Sequence, residues 1–166
     1  MRALLIGGAI AAVVASLAAC GGSGSGSAAR ADTQRQADLY AIDQVEQTWH
    51  EAASKHNLDL MMSIWAPNAS FTTAGKTYTG ADQIRQFFAT QAAPFKKENN
   101  WVSDTPAYKS RATVDGDKGT LHFECHFIDV GTSKVAAVTA GNLDVARIDG
   151  RWRITNFVGS TSQLTI

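Results

Sequence analysis

An α+β domain, its helices packed on one face of a curved antiparallel sheet, is the fold class this chain predicts. Two observations carry that expectation. Helical periodicity is confined to the stretch before Glu98, and beyond it apolar and polar residues alternate between turn signals. The length, 166 residues, suits one domain rather than two.

From Gln34 to about Asn57, the residues Leu39, Ile42, Val45, Trp49, Ala52 or Ala53, and His56 recur at threes and fours. Asp43, Gln47 and Glu51 fall on other faces, which makes an amphipathic helix. Asn57 can end this helix and start a second, whose apolar side is Leu58, Met61, Ile64 and Trp65, with Pro67 as the stop. Phe71 to Tyr78 reads as two extended pieces around Ala74-Gly75-Lys76. Gly80 opens a third helix, Asp82 sits in its first turn, and Ile84, Phe87 and Phe88 form its buried side.

Strands follow. Trp101 to Thr113 reads as one, with a turn at Asp115-Gly116-Asp117. Thr120 to Val130 places Leu121, Phe123, Cys125 and Phe127 on one side and His122, Glu124 and His126 on the other. After Gly131-Thr132-Ser133 comes a long strand from Val135 to Ile148. Asp149-Gly150 is a strong hairpin signal before the returning strand, Arg151 to Val158.

Fifteen basic residues balance fifteen acidic ones, and Lys96-Lys97 is the only adjacent basic pair. A protein that grips phosphate backbones needs a basic excess on some face, so nucleic acid is not an expected partner. No phosphate-cradling glycine loop and no Ser-His-Asp ordering occurs, and no cofactor is expected.

The N-terminus carries its own signal. Arg2 precedes an apolar run from Ala3 to Ala19, rich in alanine and interrupted by Gly7-Gly8, which is a poor permanent span and a good secretory leader. Leu17-Ala18-Ala19-Cys20 resembles the lipobox of bacterial lipoproteins, in which cleavage precedes the cysteine. The expected organisation is a signal peptide over 1–19, a lipidated Cys20 with a flexible Gly/Ser tether over 20–33, and a folded domain over 34–162. Such a tether would reach roughly 20 Å, and acyl chains such as palmitate would hold it to a membrane facing away from the cytoplasm, for example on the periplasmic side. Asn68-Ala69-Ser70 matches a glycosylation sequon, incidental beside a bacterial leader. Cys125, the other cysteine, reads as a buried thiol.

Three stretches together resemble a known family. Asn57-Leu58-Asp59-Leu60, then Trp65-Ala66-Pro67-Asn68-Ala69-Ser70-Phe71, then Tyr78-Thr79-Gly80-Ala81-Asp82-Gln83-Ile84 resemble the first half of SnoaL-like domains. Leu143 to Ile154 resembles their closing hairpin. These domains belong to the nuclear transport factor 2-like superfamily, which includes ketosteroid isomerase. The resemblance implies a cone-shaped sheet curled around the helices, a pocket at its open end, and pairing of copies through the outer sheet face. It does not fix a function, because the superfamily holds isomerases, dehydratases and proteins without known catalysis.

Matched to ketosteroid isomerase, the chain has Trp49 at the position of the oxyanion tyrosine and Thr73 at that of the base. Neither can do that chemistry near neutral pH. Asp144 matches the remaining carboxylic acid. With Asn142 and Asn156 it makes a candidate polar set, and Asp144 is the best candidate for catalysis. Either Asp144 is a desolvated carboxylate in the pocket, or it pairs with Arg151 or Arg153 and only holds the hairpin. Trp49, Trp65, Phe71, Phe87 and Trp101 are candidate pocket walls, and His50 is expected to face out beside Trp49. His122, Glu124 and His126 share one side of a strand as metal ligands would, but that side opposes the apolar one and no further cluster supports a site, so no metal is expected. The expected function is binding of a small apolar molecule, or an accessory role, without catalysis. The alternatives are a cofactor-independent isomerase, dehydratase or hydrolase, and a protein-binding module of the cell envelope.

Overall fold

A computed structural model describes residues 23–164; residues 1–22, on which the expected leader and lipidated Cys20 fall, and the last two residues lie outside the described residues. Helix α1 spans Ser23–Ser54, beginning at Ser23 rather than at Gln34. The expected tether is therefore helical from Ser23 on. Ala28, Ala29, Ala31 and Ala37 are strong helix formers without an intervening proline, and a helix already nucleated extends at small cost. Residues 26–37 are all exposed, so this part of the helix buries nothing. Burial begins at Asp38 and runs through Ile42, Val45, Trp49, Ala52 and Ala53, the stripe that periodicity predicts.

Asn57 caps α2 (Leu58–Ser63), its side chain accepting a hydrogen bond from the backbone N–H of Leu60 at 2.9 Å. That helix ends before Trp65, which opens strand β1 (Trp65–Thr73) instead of closing the helix. Pro67 sits inside this strand, within the register irregularity between Trp65 and Ser70, where a missing N–H costs no ladder bond. Ala74 and Gly75, both at positive φ, make the two-residue turn into β2 (Lys76–Thr79). Helix α3 is Ala81–Thr90, followed by a 3-10 turn at Ala93–Phe95.

The stretch expected as one strand from Trp101 to Thr113 is two, β3 (Trp101–Asp104) and β4 (Arg111–Asp115). Pro106 caps a short 3-10 turn between them, at Ala107–Lys109. Both lie end to end along one edge of β5 (Lys118–Asp129). The sheet is completed by β6 (Lys134–Ile148) and β7 (Arg151–Gln163), joined at Asp149-Gly150 with both residues at positive φ. Strand order is β2-β1-β7-β6-β5-β3, a curled, unclosed sheet. The α+β expectation holds, with one change: β1 pairs with β7 in parallel, so the sheet is mixed.

The concave face holds the core. Trp49 of α1 is its hub, stacked on Phe157 at 5.7 Å and edge-on to Phe88 and Phe123 at 5.6 and 5.4 Å. Beyond the core, Arg147 ties α1 to the sheet: it bonds Asp38, donates from Nε to Asp117 at 2.9 Å, and lies 4.9 Å over the Trp152 ring.

Candidate functional site

A cavity of about 260 Å³ lies between the end of α1, α3, the 3-10 turn after it and the concave face of the sheet. Strand alternation decides what lines it. On β7, Phe157, Gly159, Thr161 and Gln163 fall on one side; on β6 the same side carries Thr139, Gly141 and Leu143. The floor is aromatic, made by Trp49, Phe71, Phe88, Phe127 and Phe157. Toward the opening stand Thr73 at the end of β1, the Thr139–Thr161 hydroxyl pair at 2.6 Å, and Gln163 and Gln91.

Gly141 and Gly159 shape this floor. A Cβ at Gly141 would lie 2.3 Å from the Phe157 ring, and one at Gly159 would lie 2.6 Å from it. Their bare backbone is what lets that ring lie flat against the sheet and leave the space above it open.

Of the expected pocket residues, Trp49, Phe71 and Phe87 line the cavity. Trp65 does not; it is fully packed in the core against Trp49 and Phe71. Trp101 packs on Phe127 at the sheet edge, outside the lining. Asn142, Asp144 and Asn156 are on the wrong side of the sheet. Leu143 and Val145 are buried toward the helices, so Asn142 and Asp144, one residue out of phase, face outward and are exposed. Asp144 borders an open groove with Lys118, Thr120 and Thr155. It pairs with neither Arg151 nor Arg153: its Oδ2 accepts from Asn156 Nδ2 at 3.1 Å, and Asn156 in turn accepts from Ser70 at 2.6 Å.

His122, Glu124 and His126 share the outer face as alternation predicts, but their side chains have separate partners. His122 meets Asn142 at 2.9 Å, while Glu124 bridges Lys109 at 2.9 Å and His126 at 3.0 Å. Lys109, and after it His126, hold the Glu124 carboxyl below its usual range. No three metal-ligating side chains converge among the described residues.

Sequence reasoning missed a buried polar cluster behind the cavity. His50 does not face out; it is buried, with Nδ1 2.7 Å from Ser103 Oγ and Nε2 3.5 Å from Glu46 Oε1. Ser103 Oγ also lies 2.9 Å from Cys125 Sγ. Burial works against the Glu46 charge, yet the nearby His50 ring, the hydrogen bond from Ser110 and the nearby Thr105 hydroxyl outweigh it and hold the carboxyl below its usual range. The order Ser103–His50–Glu46 mimics a nucleophile, a base and an acid. However, neither Ser103 nor His50 lines the cavity, and Ser103 is aimed at a buried thiol. Burial pushes that thiol up to about 12, so Cys125 is an inert packing group. The cluster pins α1 to β3 and β5. A period of 3.6 places Glu46 and His50 together on one side of α1, four residues apart, which is the signal that could have revealed it.

Comparison with known proteins fits this architecture. No curated protein sequence matches the chain. Among solved structures, an NTF2-like protein of unknown function from Pseudomonas putida KT2440 superposes with a TM-score of 0.65 at 12% identity, covering 75% of this chain and 87% of that one. An NTF2-like protein with a cystatin-like fold from Novosphingobium aromaticivorans gives 0.64 at 17% identity, with 82% and 88% covered. A hexachlorocyclohexane dehydrochlorinase from Novosphingobium barchaimii LL02 gives 0.62 at 21% identity, with 81% and 92% covered. At these identities the likeness is one of fold. The sequence itself matches the model of the SnoaL-like domain over residues 46–155, from the middle of α1 into β7. With most of the folded part matched and the curled sheet in place, this chain belongs to the SnoaL-like domain family.

Proposed function

We propose that the chain is a lipid-anchored SnoaL-like protein that holds a small, largely apolar molecule in its cavity without transforming it. One observation carries the reading: no ionisable side chain lines the cavity, whose polar groups are threonines, glutamines and the indole N–H of Trp49. Proton transfer needs a titratable group within hydrogen-bond reach of the substrate. One structural neighbour is a dehydrochlorinase, and an elimination of that kind calls for a base. Thr73 cannot serve as one, and Asp144 is on the other face of the sheet.

The protein-binding alternative draws less support. A docking face would be a continuous apolar patch. The large exposed apolar residues are Tyr40, Val102, Tyr108, Val130, Val158 and Leu164, distributed over α1, β3, a 3-10 turn, a loop, β7 and its end.

The anchor in this reading is Cys20, supported by the leader and the small residues before it. No helix among the described residues is long and apolar enough to cross a membrane. Two measurements test the proposal. Mass spectrometry of small molecules copurifying with the full chain should find an uncharged apolar compound in stoichiometric amount. Fractionation should show the chain in membranes and its Cys20→Ala variant released. Turnover of a bound compound, or membrane attachment that survives Cys20→Ala, would overturn the corresponding half.

A further inference from the structure

The cavity is layered, and the layering bears on which molecules it accepts. Its floor is aromatic, the rings of Trp49, Phe71, Phe88, Phe127 and Phe157, with the Trp49 indole N–H buried and unpartnered among them. The next tier is hydroxyl, supplied by three adjacent strands. Thr73 of β1 stands opposite Gly159 of β7, two residues from Thr161, which in turn stands opposite Thr139 of β6. Thr139 and Thr161 satisfy each other. Thr73 is different. It is nine-tenths buried, it lines the cavity, and its hydroxyl has no hydrogen-bond partner among the described residues. The hydroxyl is not sealed away but opens onto the cavity, so a molecule inside can complete it.

Resting on the reading of the cavity as a ligand site, we infer that it selects an uncharged molecule with an apolar ring body and a single hydroxyl or carbonyl head, the head bonding Thr73. Three features set this class. The aromatic floor takes a flat apolar body. A threonine hydroxyl serves either a donor or an acceptor, so the head can be an alcohol or a ketone. No lysine, arginine, histidine or carboxylate lines the cavity, so a charged head would be desolvated without a counter-ion. Size narrows it further. A dry cavity of about 150 Å³ holds benzene, and 260 Å³ suits a body of about two fused rings.

The test is calorimetric titration of the full chain at neutral pH with naphthalene, 2-naphthol, 2-naphthoate and naphthylmethylammonium. 2-Naphthol should bind about fivefold more tightly than naphthalene, the worth of one net hydrogen bond. Both charged compounds should bind at least about tenfold more weakly than 2-naphthol. Thr73→Val should erase the preference for 2-naphthol while leaving naphthalene affinity in place, and Thr73→Ser should retain it. Equal binding of naphthalene and 2-naphthol, or a preference that survives Thr73→Val, overturns the selection by Thr73 and leaves the cavity a ligand site. If none of the four binds, the reading of the cavity itself falls, and this inference with it.

Discussion

Gly141→Ala adds one methyl group, and the structure says what it meets. The new Cβ would sit 2.3 and 2.5 Å from two carbons of the Phe157 ring, where ordinary contact begins at 3.4 Å. The ring must therefore retreat by about 1 Å. Trp49 stacked at 5.7 Å and Phe71 at 4.9 Å hem it in, so the retreat displaces the hub of the core or intrudes on the cavity. Overpacking of this kind costs about 1–3 kcal/mol. Alanine returns about 0.5–1 kcal/mol, because glycine surrenders more backbone entropy on entering a strand. With the middle of each range the net loss is about 1.3 kcal/mol, or roughly 4–6 °C in Tm for a domain of this size. Thermal unfolding followed by circular dichroism measures it. Combining the change with Phe157→Leu should cost less than the sum of the two single variants, since the smaller side chain relieves the clash. An unchanged or raised Tm in Gly141→Ala would mean that backbone entropy outweighs the contact, and the account of the floor would be wrong.

Three further outcomes follow from the same geometry. Cys125 should resist iodoacetamide at pH 8 in the folded chain, since burial pushes its thiol up to about 12, and should react at the rate of global unfolding; fast labelling of native protein would refute its burial. The Glu46 carboxyl is held below its usual value in the folded chain, so its contribution is fully present above the unfolded carboxylate pKa of about 4.3 and is lost as pH falls through the lower folded value. Asp38, Glu124 and Asp129 are likewise held below their usual range, so Glu46→Gln should flatten the acid limb of a denaturant-melt series rather than abolish it, while Asp43, raised by its own burial and by Glu46, works in the opposite sense. Asp144→Asn should leave naphthalene binding within about twofold of the parent chain, because its carboxylate is on the outer sheet face; a large loss would place it in the site after all.

The elements were legible where one physical signal decides them. The two-residue turns at Ala74-Gly75 and Asp149-Gly150, the capping role of Asn57 and the alternation of β5 each follow from local chemistry. The site was less legible. Alternation shows that Asp144 and Leu143 oppose each other, but it does not by itself say which side faces the helices. The apolar partners Leu143 and Val145 did answer that question; the family position assigned to Asp144 pointed the other way, and burial won. The hydroxyl tier was invisible for a different reason. Thr73, Thr139 and Thr161 are distant in sequence, and only the pairing of β1, β7 and β6 brings them into one layer. The buried Glu46–His50 pair was hidden because charged residues on a helix are ordinarily read as its wet side.

The parallel pairing of β1 with β7 also sets an order of events. Ser70 stands beside Asn156, so the strand nearest the C-terminus is an interior strand of the sheet, flanked by β1 and β6. The amino-terminal half therefore cannot complete its own sheet; β1 and β2 alone make a two-stranded hairpin, marginal in water. Closure waits on contacts of high sequence separation, which are slow to form. A nascent chain lacking β7 would carry Trp49, Phe71 and Phe88 uncovered, a form suited to capture by chaperones or proteases.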